Sequence, residues 1–221
     1  MTEIRHHLTD ALLAAYSAGA LPEAFNLVVA THVSLCDECR AALEACDAVG
    51  GAVLESCETA DVSEDSFAAT LALIAKGDDA DATPRSVKRS GETPVSDFPA
   101  PLSDYAGIDL DAVKWRRVGG GVSQAILKTS KDASVRLLRI PAGAAVPDHG
   151  HRGTELTLVL KGAFRDEHDR FGPGDIEIAN EDLHHTPVAE EGEDCICLAA
   201  SDAPLRFSGL IPRIAQPFFR I

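Results

Sequence analysis

The sequence predicts a multidomain α plus β protein: a small all-helical N-terminal domain, a linker, and a C-terminal β domain of antiparallel jelly-roll type. Three observations predict it. Apolar residues recur at helical spacing as far as Lys76, periodicity is lost from Gly77 to about Phe98, and a period of two follows, broken by Gly, Pro and Asp. The expected boundaries are 1–80 for the helical domain, 81–98 for the linker and 99–221 for the β domain.

In the first helix, "LTDALLAAYSAGAL", Leu8, Ala11, Leu12, Ala15 and Tyr16 fall on one stripe, and Thr9 or Asp10 can cap its start. Gly19 and Pro22 punctuate before "PEAFNLVVATHVSLCDECRAALEACDAV", a long helix with Pro22 in its first turn and Gly50-Gly51 weakening its end. A shorter helix is expected at "SEDSFAATLALIAK", with Ser63 as cap and Phe67, Leu71 and Ile74 as its apolar stripe. The stretch "GDDADATPRSVKRSGETPVSD" is rich in Asp, Ser, Thr and Pro and has no period, which suits a linker. Beyond it, "QAILKTS", "ASVRLLRIPAG", "ELTLVLKGAF", "DIEIAN" and "EDCICLAAS" read as short strands with no helices between them.

Charge is divided unequally. Residues 1–84 carry 15 acidic and 3 basic side chains, out of a net charge of −15 for all 221 residues. An acidic N-terminal half argues against direct contact with nucleic acid, whose phosphates need Lys and Arg. It suits a basic protein partner, or simply a solvated surface. No apolar run is long enough to span a membrane, and "MTEIRHHLTD" lacks the pattern of a signal peptide, so a cytoplasmic protein with reduced thiols is expected. Six cysteines in that setting mean ligands, sensors or core residues rather than disulfides.

The stretch "THVSLCDECR" places His32, Cys36 and Cys39 at i, i+4 and i+7, which on a continuous helix is one face. Two thiolates and an imidazole are three of the four ligands that a structural zinc site requires, and His6 or His7 stands ready upstream as the fourth. A redox Cys-x-x-Cys pair is the alternative, although such pairs sit at a helix N-terminus and this one is expected mid-helix. Plain core packing is the other alternative. Cys46 and Cys57 lie outside the pattern.

An HxxxCxxC motif with an upstream histidine, in a small acidic helical domain, resembles the zinc-binding anti-sigma factors. The resemblance implies a domain that wraps an extracytoplasmic-function sigma factor and blocks its binding to core RNA polymerase. It also implies that the fourth ligand is His7, which has 24 residues between it and His32, with His6 the second choice.

The β domain carries "GAAVPDHGHRGTELTLVLKG", a G(x)5HxH(x)3E(x)6G pattern through Gly143, His149, His151, Glu155 and Gly162. On a strand His149 and His151 point the same way, and Glu155 follows on the next strand after a turn at Gly153. The pattern resembles the first motif of the cupins. By that resemblance the second-motif histidine, counted from Gly174-Asp175, is His185 with His184 beside it, while Asn180 and Glu181 depart from the usual proline. Three histidines and a carboxylate suit zinc, and equally iron, manganese or nickel. Cys195 and Cys197 alternate on a strand and share a face, as a sensing pair or as buried core.

A zinc anti-sigma domain followed by a cupin resembles one type of regulator over nearly the whole chain, through "LVVATHVSLCDECR", "GGGVSQAILKT", "PDHGHRGTELTLVLKGAFRDE" and "QPFFRI". What this implies is a non-enzymatic anti-sigma factor that binds one sigma factor 1:1, with a metal-binding cupin needed for release on singlet oxygen or related oxidative stress. The competing readings are a cupin metalloenzyme of dioxygenase type with a helical regulatory domain, and an interaction protein whose metals only staple the fold.

Overall fold

A computed structural model describes residues 3–76, 98–107 and 109–207. The helices are α1 (Asp10–Ser17), α2 (Glu23–Leu35), α3 (Asp37–Glu55), α4 (Ser66–Lys76) and α5 (Ala100–Ala106). The strands are β1 (Arg116–Gly119), β2 (Val122–Leu127), β3 (Ser134–Ile140), β4 (His149–Gly150), β5 (Glu155–Lys161), β6 (Phe164–Arg165), β7 (Arg170–Phe171), β8 (Ile176–Ala179), β9 (His184–His185), β10 (Val188–Ala189), β11 (Cys195–Ser201) and β12 (Arg206–Phe207). The helical N-terminal region and the β-sheet cupin domain are those expected, with α5 an addition between linker and barrel. Packing groups Met1–Gly50 with Ser96–Ile221 in one compact unit and Gly51–Val95 in a second. The 81–98 linker segment lies outside the described residues apart from Phe98, which is buried, and so does "QPFFRI".

Thr9 starts α1 by accepting a hydrogen bond from Leu12 N at 3.3 Å. The long second helix is corrected by the structure. It breaks at Cys36, whose backbone is extended at φ −109° and ψ 110°. Cys36 takes the capping position of α3 instead: its Sγ accepts the Cys39 amide at 3.4 Å, where a Ser or Asp oxygen would ordinarily stand. Asp37 and Glu38 fill the first turn, where negative charge complements the helix dipole. Arg40 Nη1 donates to Val33 O at 3.2 Å and satisfies a carbonyl freed at the end of α2. Beyond the break, α3 runs through Gly50-Gly51 to Glu55.

The principal sheet has six strands in the order β1-β2-β3-β11-β5-β8, antiparallel throughout. Two three-stranded sheets, β10-β6-β7 and β12-β4-β9, complete the barrel. Strand alternation sends Val135, Leu137, Leu156, Leu158, Leu198 and Ala200 to one face, where they pack with Phe25, Val28 and Val29 of α2 and Leu102 of α5. The opposite face sends Val122, Ile140, Val159, Cys195 and Cys197 inward, against Phe164 and Phe171. Because α2 covers the outer face, β11 is buried on both sides and reads as a continuous apolar run, "CICLAA". Glu23 fastens the start of α2, accepting from Tyr105 Oη at 2.8 Å and from Ser130 N at 2.6 Å.

Candidate metal centres

The segment before α1 lies across α2 and α3, and it brings His7 to His32, Cys36 and Cys39. One ligand atom from each of these four residues lies within 4.8 Å of the others. His7 Nδ1 is 3.3 Å from Cys36 Sγ and 3.7 Å from Cys39 Sγ, and His32 Nε2 is 3.2 Å from Cys39 Sγ. His32 reaches the cluster from the last turn of α2, Cys36 from the break and Cys39 from the first turn of α3. The cysteine pair therefore sits at a helix N-terminus and not mid-helix. The other nitrogens are occupied too: His32 Nδ1 donates to Gly174 O at 3.0 Å, and His7 Nε2 is 3.4 Å from Glu38 Oε2. His6 is committed elsewhere, its ring 4.3 Å from that of Phe171 and its Nε2 donating to Arg170 O at 3.2 Å.

The chemistry of this cluster suits a divalent cation. Burial pushes the His32 pKa down to about 4, so its imidazole stays neutral and Nε2 keeps its lone pair for a ligand role. Burial, with the neighbouring Cys36 thiol, pushes Cys39 up to about 11. A metal ion reverses that preference, because a coordinated thiol gives up its proton.

Inside the barrel, one ligand atom each from His149, His151 and His185 lies within 4.8 Å of the others. All three side chains are buried. His149 Nδ1 donates to Pro147 O at 2.9 Å, which leaves Nε2 as its ligand atom. His151 Nε2 and His185 Nε2 face each other at 3.4 Å, while His151 Nδ1 is buried with no hydrogen-bond partner among the described residues. Burial first, then the neighbouring imidazoles, push His149 down to about 4 and His151 to about 3. Burial would lower His185 as well. Its Nδ1 lies 3.1 Å from Glu177 Oε1 and 3.0 Å from Asp166 Oδ2, and these carboxylates outweigh burial and push it up to about 9. Crowded, dry nitrogens beside a carboxylate pair form a set that a cation would satisfy.

Glu155 is not part of that group of ligand atoms. It accepts from Thr157 Oγ1 at 3.3 Å and interacts with Arg136, and burial pushes it up to about 7. His184 is exposed on the outside of β9. Asp166 and Glu177, which motif spacing passed over, make a further group of ligand atoms with His185. A cavity of about 1020 Å³ opens beside the histidines, lined by Gln124, Arg136, Leu138, Thr157 and Phe164 among others. Cys197 lines this cavity, and Cys195, also buried, has its sulfur 3.6 Å from that of Cys197.

A helical His2Cys2 cluster packed on a cupin barrel that carries three convergent histidines defines the class: anti-sigma factors with a C-terminal cupin domain. Residues 103–203 match the Cupin_7 family, the ChrR Cupin-like domain. The chain is 60% identical over 220 residues to the anti-sigma-E factor ChrR of Cereibacter sphaeroides, covering 99% of both chains. The crystal structure of Rhodobacter sphaeroides SigE in complex with the anti-sigma ChrR aligns with a TM-score of 0.77 and 58% identity, over 90% of this chain and all of that one. The chain belongs to the ChrR family of anti-sigma factors.

Proposed function

We propose that this chain binds an extracytoplasmic-function (group IV) sigma factor 1:1 in the cytoplasm and occludes it from core RNA polymerase. The barrel centre serves signal-dependent release, with singlet oxygen or related oxidative stress as the signal. Family membership supports this reading, as does the likeness to the ChrR of the SigE complex over 90% of the chain. The observation that carries it is an apolar face without a partner. Leu54, Phe67, Leu71, Leu73 and Ile74, at the end of α3 and along α4, are all exposed, Phe67 by 76%. Large apolar side chains exposed at this density mark a protein interface, and the acidic residues of the same segment, Glu58, Asp61, Glu64 and Asp65, complement a basic partner.

Zinc is the metal we assign to His7, His32, Cys36 and Cys39, because two thiolates and two imidazoles are a closed structural zinc set. His149, His151 and His185 are assigned a second metal, zinc in the first instance, with iron, manganese and nickel accepted by the same donors. Glu155 completes the set by resemblance, although its ligand atoms stand outside the three-histidine group. Inhibition by occlusion needs no turnover, so the chain acts by binding. It needs neither nucleic acid nor membrane, and among the described residues no helix is long and apolar enough to cross one.

The test is to purify the chain with its cognate sigma factor and to measure transcription that depends on core polymerase. A stable complex with transcription suppressed is expected. Unchanged transcription and no complex would overturn the reading.

A further inference from the structure

One turn of the barrel holds both His32 and the backbone that leads into His7. The turn joins β7 to β8 through Gly172–Asp175. Residues 3–9 form no helix, so the backbone leading into His7 must find its hydrogen-bond partners elsewhere. Asp175 supplies them: its Oδ1 accepts from Arg5 N at 2.6 Å and from His6 N at 3.0 Å. Its Oδ2 is fixed in turn by Gly172 N at 2.8 Å, and the side chain is buried. Ile176 N donates to His6 O at 3.3 Å, completing the anchorage just before His7.

His32 is fixed by the adjacent residue of the same turn. A carbonyl can only accept, so the 3.0 Å contact with Gly174 O places the proton of His32 on Nδ1 and leaves Nε2 bare toward the sulfurs. Gly174 has φ +90°, and a Cβ there would come within 2.6 Å of Ile4 Cδ1, so the close seat of the N-terminal segment requires glycine. Two residues past Asp175, Glu177 on β8 contacts His185 of the barrel centre. The two metal centres thus share one turn and one strand.

We propose that Asp175 and the Gly174 carbonyl are positioning groups for His7 and His32, so that the β7–β8 turn sets how firmly the His2Cys2 cluster holds its metal and couples it to the His149–His151–His185 centre. This rests on the reading of that cluster as a metal site. Outer contacts of this kind change metal affinity about 10- to 100-fold when removed. A disturbance at His185 reaches the His2Cys2 cluster through Glu177, Asp175 and the segment that carries His7.

Cobalt(II) substituted into the full chain reports the cluster through thiolate–cobalt absorption, a signal that imidazole ligands alone do not give. Release to a chelator is then timed for four proteins: unaltered, Asp175→Ala, His149→Ala and the double variant. Asp175→Ala is expected to speed loss of the thiolate–cobalt bands at least tenfold. His149→Ala should alter the release rate in the unaltered background and leave it unchanged in the Asp175→Ala background. Equal release with and without Asp175, or the same His149→Ala effect in both backgrounds, would overturn the proposal. Absence of thiolate–cobalt bands from the unaltered chain would instead overturn the metal-site reading on which it stands. Should Asp175→Ala fail to fold, amide exchange in the unaltered chain decides. Protection of the Arg5, His6 and Ile176 amides that weakens when the barrel centre is stripped supports the coupling, and protection indifferent to stripping refutes it.

Discussion

The amide of Cys39 donates to Cys36 Sγ at 3.4 Å, so one residue both caps α3 and presents a thiol to the His2Cys2 cluster. Replacing the sulfur therefore removes a metal ligand, whereas a serine oxygen can still serve as the cap. Cys36→Ser is expected to retain α3 by circular dichroism and to lose the helical-region metal. Structural zinc contributes on the order of 10 kcal/mol to small zinc-dependent folds. The sigma complex should accordingly weaken by at least about 100-fold (about 2.7 kcal/mol). Cys39→Ser should behave alike, and His149→Ala should change affinity far less. Titration of the sigma factor against each variant checks this, and equal losses would contradict the division of labour between the two centres.

His6 and His7 are adjacent and have different work. His7 Nδ1 faces both sulfurs, while the His6 ring packs tilted against Phe171 and donates to Arg170 O. His7→Ala is expected to abolish stoichiometric metal binding at the cluster. His6→Ala should keep the metal and cost about 0.5–1.5 kcal/mol of stability from the lost ring contact. Metal content by mass spectrometry of the intact chain separates the two, and loss of metal from His6→Ala would reverse the assignment.

The parts legible in the sequence are those that depend on neighbours along the chain. Strand alternation is local, and the five predicted strand runs fall on β2, β3, β5, β8 and β11. The HxH spacing is local too, and His149 and His151 converge, joined by His185, to which the cupin resemblance and not a local spacing points. What escaped depends on pairing across the fold. Asp166, in the loop after β6, and Glu177, on β8, reach His185 over separations of 19 and 8 residues that no motif encodes. The break at Cys36 escaped for another reason. Leu35, Cys36, Asp37 and Glu38 have no helix breaker among them; the break is supported by the Cys36 sulfur acting as a cap and by Arg40 on the Val33 carbonyl. Cover of the sheet by α2 was hidden because a strand buried on both faces shows no alternation.

Acid and alkaline stability should respond to different histidines in the metal-free chain. Burial holds the His32 pKa at about 4 against 6.5 in an exposed setting. Between these values the unfolded chain binds a proton that the folded chain refuses, so stability is lost as pH falls from about 6.5 toward 4. His149, lowered to about 4, adds to the same limb. His185 has the opposite sign, with its pKa raised to about 9 beside Glu177 and Asp166. Its contribution is complete below about 6.5 and is lost as pH rises through about 9. Denaturant unfolding from pH 4.5 to 9.5 should therefore give a maximum near neutrality, and His185→Gln should flatten the alkaline side alone. An unaltered alkaline limb in that variant would refute the assignment.

The exposed face of α4 separates binding from folding. Phe67 and Ile74 are 76% and 71% exposed, and neither is part of a buried core cluster, so changing them removes little apolar burial from the free chain. Phe67→Ser and Ile74→Ser are expected to leave the free chain's stability within about 0.5 kcal/mol. In a complex the same side chains would be desolvated against the sigma factor, where burying a Phe or Ile contributes about 1.5–3 kcal/mol. Each variant should then bind the sigma factor about 10- to 100-fold more weakly, while metal content and thermal midpoint stay unchanged. Measuring affinity and melting on the same samples decides the matter. Full affinity in the double variant would place the sigma-binding surface elsewhere on the chain.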